Sequence, residues 1–154
     1  PKYKLYIAGK RPEEFPNTKN IEEERIYYEK VEEKIKENKL EEDVIFTGWI
    51  EVPKFLEKIG YTLSLSDKKF PESFHVSPFE CMASIGMLLD WEGIEYIYPN
   101  FSIYNSVKEI AEKIEAYNNN DELYNEIANK GRNFTINNYD LPIIWNTIKK
   151  VINS

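Results

Sequence analysis

The sequence predicts an α/β fold in which a parallel sheet is flanked by helices. Short apolar segments rich in β-formers alternate with segments of helical periodicity four times between residues 3 and 89, and this alternation is typical of βα units with parallel strands. Two of the predicted strands stop at Gly9 and Gly48, as strands do where they enter a turn. The chain has 154 residues and no low-complexity linker, so we expect a single domain.

The first half of the chain is expected to contain three strands, at residues 3–8, 44–47 and 61–66, with helices at 20–38 and 53–59. Asn20 with Glu23 three residues later is a pattern that begins a helix. Pro53 near the start and Gly60 after the end bound the short helix. Glutamates and lysines alternate along the long helix, which favours a solvated face over a metal site.

The second half is expected to begin with a helix that Ser77 opens and Gly86 ends, followed by a strand at residues 87–89. The remainder is predicted to be helical. Ser106, with Glu109 three residues later, predicts the start of one helix. A second is expected at residues 121–130, and a third at 141–152 with Asp140 as its cap.

Composition excludes several classes of protein. Hydrophobic residues make up 42% and charged residues 31% of the chain, as in ordinary globular proteins. No apolar run reaches the roughly 20 residues of a membrane span. The net charge of −7 argues against a nucleic-acid partner. A single cysteine, Cys81, suits a reducing compartment, so we expect a cytoplasmic location.

Ligands of open parallel sheets bind beyond the carboxyl ends of the strands. This rule points to Gly9, to Gly48 with Trp49, and to the loop at residues 66–76. In that loop the segment 72–76, Glu-Ser-Phe-His-Val, leads directly into the helix that begins near Pro78. Its backbone N–H groups and the helix dipole therefore predict an anion site.

A second carboxylate, Glu80, lies eight residues after Glu72 and one turn into the helix. It could flank the same pocket. It could equally complete a capping box with Ser77, in which the glutamate bonds back to the start of the helix. The spacing alone leaves both roles open.

These motifs together resemble the second domain of retaining GT-B glycosyltransferases of family 4. The E-x7-E motif of that family is matched by Glu72 and Glu80, with Met82-Ala83 and Gly86 in its surroundings. The preceding strands resemble those of the family in the same order, and the matching segments are Leu5-Tyr6-Ile7-Ala8-Gly9, Val44-Ile45-Phe46-Thr47-Gly48 and Leu63-Ser64-Leu65-Ser66. The resemblance implies a Rossmann-like, C-terminal lobe that binds a nucleotide sugar.

The resemblance also implies a role for each site residue. Glu72 would contact the donor sugar, the backbone of Ser73, Phe74, His75 and Val76 would bind the diphosphate, and Glu80 would hold the ribose. Gly48 and Trp49 would lie near the base, with Gly9 at the neighbouring strand end. No metal cofactor is implied, and the sequence has no Asp-x-Asp motif. The acceptor, a saccharide, lipid or protein, would bind a separate N-terminal domain.

The chain departs from the family pattern at several points. His75 stands where the family usually has glycine, and its ring could line the sugar pocket or point to solvent. The family's first βα unit, which carries an Arg and a Lys for the diphosphate, would precede residue 1, so the fragment alone is expected to be inactive. Lys68 and Lys69 could supply charge or be a solubilising pair. Residues 91–95 replace the G-G-x-x-E segment of the family, and the replacement resembles the sequences of enzymes of bacterial surface-polysaccharide assembly. The full-length protein could attach peripherally to the inner membrane face.

Two other classes of function remain at this stage. A non-catalytic nucleotide-binding or interaction module would need only the anion loop. A receiver-like or flavodoxin-like domain is disfavoured, because the first strands end in Gly9 and Gly48 where phosphorylation would need acidic residues. The final helix, with Trp145, Ile148 and Ile152, could cross to the other domain or pack on this lobe.

Overall fold

The structure is a computed structural model that describes residues 3–9, 22–65, 85–90 and 94–153. All of its named strand pairs are parallel and helices flank them, so the predicted α/β class is confirmed. The chain divides into two compact units, an N-terminal unit of residues 1–55 and a C-terminal unit of residues 56–154. Each unit has its own sheet.

The N-terminal unit contains two strands, β1 (Leu5–Ala8) and β2 (Val44–Gly48), joined by helix α1 (Glu22–Glu37). Strand β1 pairs with β2 in parallel, with Leu5 opposite Val44 and Ala8 opposite Gly48. A short helix α2 (Val52–Leu56) follows, and its Phe55 ring meets Tyr6 edge to face at 5.6 Å between centroids. Asn20, the predicted helix cap, lies outside the described residues.

The C-terminal unit has a three-stranded parallel sheet in the order β3-β4-β5, with β3 at Tyr61–Ser64, β4 at Ile85–Leu89 and β5 at Ile103–Tyr104. Two short 3₁₀ helices, Ile94–Tyr96 and Asn100–Ser102, connect β4 to β5. Three helices complete the unit: α3 (Val107–Asn118), α4 (Asp121–Tyr139) and α5 (Leu141–Ile152).

Strand β4 is the centre of the core. It is an almost continuous apolar run, and Ile85, Met87 and Leu88 are at most 2% exposed. Ile85 and Met87 pack with Ile110 and Tyr117 of α3, whereas Leu88 packs on the other side with Ile94 and Tyr98. A strand covered on both faces and paired on both edges is the usual interior strand of an α/β sheet.

Two predicted helix starts of this unit, at Ser106 and Asp140, are confirmed; the one predicted at Ser77 lies outside the described residues. Ser106 accepts a bond from the backbone N–H of Glu109 at 3.1 Å, and the Glu109 carboxylate accepts one from the N–H of Asn105 at 2.8 Å. Asp140 accepts a bond from the N–H of Leu141 at 2.9 Å and begins α5 as expected. These bonds satisfy N–H groups that the first turn of a helix leaves without intrahelical partners.

Two predictions in the central region are wrong. Gly86 does not end a helix, because it lies inside β4 and pairs with Thr62 of β3. The remainder of the chain is not all helical either, since β5 adds a third strand through pairs of Leu88 with Ile103 and of Leu89 with Tyr104. A strand of two residues is too short to show an alternating pattern, so only its tertiary pairing reveals it.

Two predicted helix ends also need correction. The helix predicted at residues 121–130 is longer, since α4 continues to Tyr139 through Gly131, which is buried. A buried glycine within a helix allows a close approach where a side chain would not fit. Helix α2 ends at Leu56, before the predicted 59.

The last helix, α5, exposes most of its apolar side chains. It adjoins α4, but Leu141, Val151 and Ile152 are 70–75% exposed, and Trp145 is 53% exposed beneath the Lys149 ammonium group. The expectation that this helix crosses to another domain stays a prediction. No helix among the described residues is long and apolar enough to cross a membrane.

The buried Tyr104 hydroxyl gives the C-terminal unit a pH-dependent stability. It donates to the carbonyl of Phe101 at 3.0 Å and lies 3.3 Å from the Tyr117 hydroxyl. Burial above all, and then the bond with Tyr117, raise the pKa of Tyr104. The folded-state pKa of Tyr104 therefore exceeds the unfolded one, and the folded state favours the neutral hydroxyl. The contribution of Tyr104 to stability is complete below about pH 10 and is lost as the pH rises further.

We therefore expect the free energy of unfolding, measured by urea titration, to fall as the pH rises above about 10. Tyr104→Phe should make that fall shallower while lowering stability at neutral pH by about 1 kcal/mol through the lost hydrogen bonds. Tyr96→Phe is the control, because Tyr96 is 86% exposed. If the free energy of unfolding falls equally steeply above pH 10 in the wild type and in Tyr104→Phe, Tyr104 is not the group responsible.

Candidate functional site

Two glycines meet at the carboxyl ends of β1 and β2. The N–H of Gly9 donates to the carbonyl of Gly48 at 3.0 Å, and the two residues form a bridge beyond the parallel ladder. Their φ angles are 130° and 66°, which side-chain-bearing residues rarely adopt. A Cβ built on either glycine finds no described atom within 4 Å. The backbone conformation, and not a lack of space, therefore requires glycine here.

Thr47 is the extra residue that allows the two strands to end together. Ile7 pairs with Phe46 but Ala8 pairs with Gly48, so the register shifts by one residue at Thr47. The Thr47 hydroxyl lies 3.1 Å from the Gly48 carbonyl oxygen and 3.4 Å from that of Ile7. Such bulges bend a strand and redirect the residues that follow. The local sequence does not reveal this role of Thr47, because the bulge shows only in the register of the two strands.

Trp49 follows directly and projects from this edge. Its side chain is 83% exposed, although indole rings normally bury a large apolar area. An accessible aromatic face can stack on a planar ring such as a nucleobase. Gly9 and Gly48 have no side chains to shield the backbone. This edge of the N-terminal unit can therefore offer a ligand the face of the Trp49 ring and accessible main-chain groups. We name Gly9, Gly48 and Trp49 the strand-end cluster.

The charges after the cluster are paired. In α2 the Lys54 ammonium group donates to the Glu51 carboxylate at 2.8 Å. Both side chains are exposed, so the pair contributes little to stability. Glu51 and Lys54 lie two and five residues after Trp49 and carry opposite charges. The pair therefore adds no net charge beside the cluster.

A second group of polar residues follows the strands of the C-terminal unit. Asp90, directly after β4, is half-buried, and its N–H donates to the carbonyl of Tyr104 at 2.8 Å. Asn105 follows β5 and is held by Glu109, which also accepts from its side-chain amide at 3.3 Å. Asp90 is not among the predicted site residues, although a carboxylate directly after an apolar strand is a signal that the sequence contains.

The described residues include only part of the predicted site. Gly9 and Gly48 are brought into contact, and Trp49 lies beside them. Six predicted site residues lie outside the described residues, and their roles stay predictions: Glu72, Ser73, Phe74, His75, Val76 and Glu80. The same holds for Lys68, Lys69 and Cys81. No group of three potential metal ligands occurs in the described part of the chain.

The strand-end cluster depends on the left-handed backbone at Gly48. We expect Gly48→Ala to lower the free energy of unfolding by about 1–2 kcal/mol, because a Cβ disfavours this conformation. Gly60→Ala is the matched control: its φ is not positive and its added Cβ would make an ordinary contact of 3.7 Å with the Tyr124 hydroxyl. Urea unfolding of both variants measures the difference. If both variants lower the free energy of unfolding equally, the left-handed conformation is not the reason for glycine at residue 48.

Solved structures share this fold. The crystal structure of HepE from Anabaena in complex with UDP superposes with a TM-score of 0.82 at 16% sequence identity. The complex with UDP-glucose gives 0.79, and the complex with UDP and glucose gives 0.80, both also at 16% identity. In each case the match covers 99% of this chain and 41% of the HepE chain. At this identity the likeness shows a common fold, and the chain spans about two fifths of the matched protein.

The sequence comparisons supply the family. No match is found among curated proteins. The model of the family described as glycosyl transferase-like matches residues 1–148, which is nearly the whole chain. The resemblance first drawn from the strand ends and the two glutamates is thus supported at the level of the family. This chain belongs to the glycosyl transferase-like family.

Proposed function

We propose that this chain is the donor-binding lobe of a retaining glycosyltransferase and binds a nucleotide sugar at the carboxyl ends of its parallel strands. The observation that carries the proposal is the exposed Trp49 indole, set beside Gly9 and Gly48 in a chain of the glycosyl transferase-like family. An exposed indole beside open backbone offers a planar ligand an apolar face to cover.

The strand-end cluster suits the nucleoside end of a donor. The Trp49 indole offers a face on which the base can stack. Gly9 and Gly48 present backbone with no Cβ, so the ligand can approach the main chain closely. The left-handed turn at Gly48, with φ of 66°, redirects the chain at the end of β2. Base recognition would therefore combine a stacking side chain with main-chain groups.

A uridine diphosphate sugar is the proposed donor. Support comes from the HepE crystal structures, which contain UDP, UDP-glucose, or UDP and glucose and share the fold at TM-scores of 0.79–0.82. The matched region is 41% of the HepE chain. We therefore assign acceptor binding, of a saccharide, lipid or protein, to polypeptide outside this lobe.

The loop at residues 72–80 would act on the sugar and the diphosphate. Glu72 would bind sugar hydroxyls, the backbone of residues 73–76 would hold the diphosphate, and Glu80 would bind the ribose. Sugar transfer breaks the bond between the anomeric carbon and the diphosphate oxygen and forms one to the acceptor oxygen. The acceptor proton would pass to the leaving phosphate. Backbone N–H groups and the helix dipole would stabilise the charge of the leaving diphosphate, so the proposal includes no metal. A role in bacterial surface polysaccharide synthesis in the cytoplasm is consistent with this chemistry.

Trp49→Ala should weaken UDP binding by about 1–3 kcal/mol, the contribution of one base stacked on an aromatic ring. Trp49→Phe should retain most of the affinity because a flat ring remains. Tyr96→Ala removes a comparably exposed aromatic, 86% exposed, from the C-terminal unit and should change nothing. Isothermal titration calorimetry with UDP measures all three. Unchanged affinity in Trp49→Ala would exclude the stacking role.

Glu80→Ala separates the ribose role from the capping role. If Glu80 binds ribose, the variant should lose UDP affinity, by about 2 kcal/mol for a hydrogen-bonded charged group, and keep its melting temperature. If it only completes a capping box with Ser77, stability should fall by about 1 kcal/mol instead and affinity should be unchanged. Ser77→Ala is the matched control for the cap. Calorimetric titration and thermal unfolding on the same samples give both values.

A further inference from the structure

Asp90 stands at the carboxyl end of β4, the central strand of the C-terminal unit. In the strand, Ile85, Met87 and Leu88 are at most 2% exposed, whereas Asp90, the first residue after it, is half-buried. The apolar core therefore ends at this carboxylate. Open α/β sheets bind their ligands beyond the carboxyl ends of the strands, so Asp90 occupies a position that a ligand can reach.

The backbone of Asp90 is held by a hydrogen-bonded part of the fold. Its N–H donates to the carbonyl of Tyr104 at 2.8 Å, which extends the pairing of β4 with β5 by one residue. Tyr104 is 3% exposed, and its hydroxyl donates to the Phe101 carbonyl at 3.0 Å and lies 3.3 Å from the Tyr117 hydroxyl. A side chain carried by such an element keeps a defined position, as a specific ligand contact requires.

A second polar residue, Asn105, lies beside Asp90 at the end of the neighbouring strand. Leu89 pairs with Tyr104 in the ladder. The next residues, Asp90 and Asn105, therefore leave the two strands at the same level. Glu109 accepts bonds from the backbone N–H of Asn105 at 2.8 Å and from its side-chain amide at 3.3 Å. The carbonyl oxygen of that side chain has no partner among the residues that the structure describes.

The oxygen atoms of Asp90 and Asn105 determine the kind of ligand that fits. A carboxylate accepts hydrogen bonds and carries a negative charge, so it repels a diphosphate. A sugar hydroxyl is uncharged and donates a hydrogen bond, so it can bond to a carboxylate or to an amide oxygen. Neighbouring strands lie about 4.8 Å apart, a separation that two adjacent hydroxyls of one sugar ring can bridge.

The segment proposed above to bind the donor sugar follows the adjacent strand. Strand β3 neighbours β4, and Ser64 at the end of β3 pairs with Leu88. The segment that contains Glu72 comes after β3 in the chain. The chain therefore leaves β3 for that segment at the same edge of the sheet as Asp90.

We infer that Asp90, with Asn105 beside it, binds hydroxyls of the donor hexose and so determines which sugar the protein accepts. The inference rests on the proposed function and adds a sugar contact that the E-x7-E motif does not include. A site built to bond a hydroxyl rejects a ligand that lacks it, because the polar groups of the site are then left without a partner. Asp90 thereby discriminates between sugars by their hydroxyls.

Asp90→Asn tests this contact because it removes the charge and keeps the shape of the side chain. Calorimetric titration of the complete protein should show about 10-fold weaker binding of UDP-glucose in the variant, the loss expected for one hydrogen bond to a charged group. The affinity for UDP, which lacks the hexose, should not fall. Asp121→Asn is the matched control and should change neither affinity, because Asp121 is an exposed acid in the first turn of α4.

Asn105→Ala tests the second residue of the pair. The bond to Glu109 that belongs to the start of α3 uses the backbone N–H of Asn105, so the variant should keep this bond and its melting temperature. The affinity for UDP-glucose should fall about 5-fold, as for a hydrogen bond between neutral groups, while the affinity for UDP stays the same. An unchanged affinity for UDP-glucose would overturn the role of Asn105.

Three results separate the inference from the function on which it rests. If the wild type binds both ligands and Asp90→Asn does not change the affinity for UDP-glucose, the inference alone is overturned. Equal losses of affinity for UDP and UDP-glucose would also overturn it, because Asp90 would then act on the nucleotide. A wild-type protein that binds neither ligand would overturn the proposed function and this inference with it.

Discussion

Burial of apolar parallel strands on both faces is the constraint on which the rest of this structure depends. Strand β4 meets it fully: Ile85 and Met87 pack under α3 and α4, and Leu88 packs against the segment that carries Ile94 and Tyr98. Helices α3 and α4 are held in place by packing on β4. Their capped starts at Ser106 and Asn120 fix where each helix begins. Within each sheet the parallel strands end at the same edge, where backbone groups and loop side chains become available to a ligand.

The strand-end cluster shows how the same arrangement can produce a binding site. The bulge at Thr47 lets β1 and β2 finish side by side, and the bridge between Gly9 and Gly48 closes the ladder. The left-handed Gly48 then leads into Trp49, which is 83% exposed. The β1-β2 sheet thereby carries a small surface with open backbone and an aromatic face. Site residues placed on a rigid scaffold are typical of ligand-binding loops in α/β proteins.

Much of the fold could be predicted from the sequence, and the exceptions share a cause. Strand β2 and helix α5 were placed to within one residue, because a β-rich run that ends at a glycine and a helix cap at Asp140 are strong local signals. Gly86 was predicted to end a helix but lies in β4, and the helix predicted to end at residue 130 continues through the buried Gly131 of α4. Glycine marks a turn or a close packing contact, and the local sequence does not distinguish them. Of the candidate site, Gly9, Gly48 and Trp49 lie at the strand ends where the sequence placed them, and their role in binding stays a prediction. The register shift at Thr47 and the position of Asp90 arise from pairing between distant strands.

The central claim is that the carboxyl ends of these strands bind a nucleotide sugar. The most direct measurement is an NMR titration of the protein with UDP, with ADP as the comparison, that follows every backbone amide. The account predicts saturable shifts with UDP at Gly9, Gly48, Trp49 and residues 72–80, and little change at α5, whose exposed residues Val151 and Ile152 report on nonspecific binding. Shifts that avoid the strand-end cluster, or a complete lack of saturable shifts in the longest polypeptide that the coding sequence yields, would contradict it.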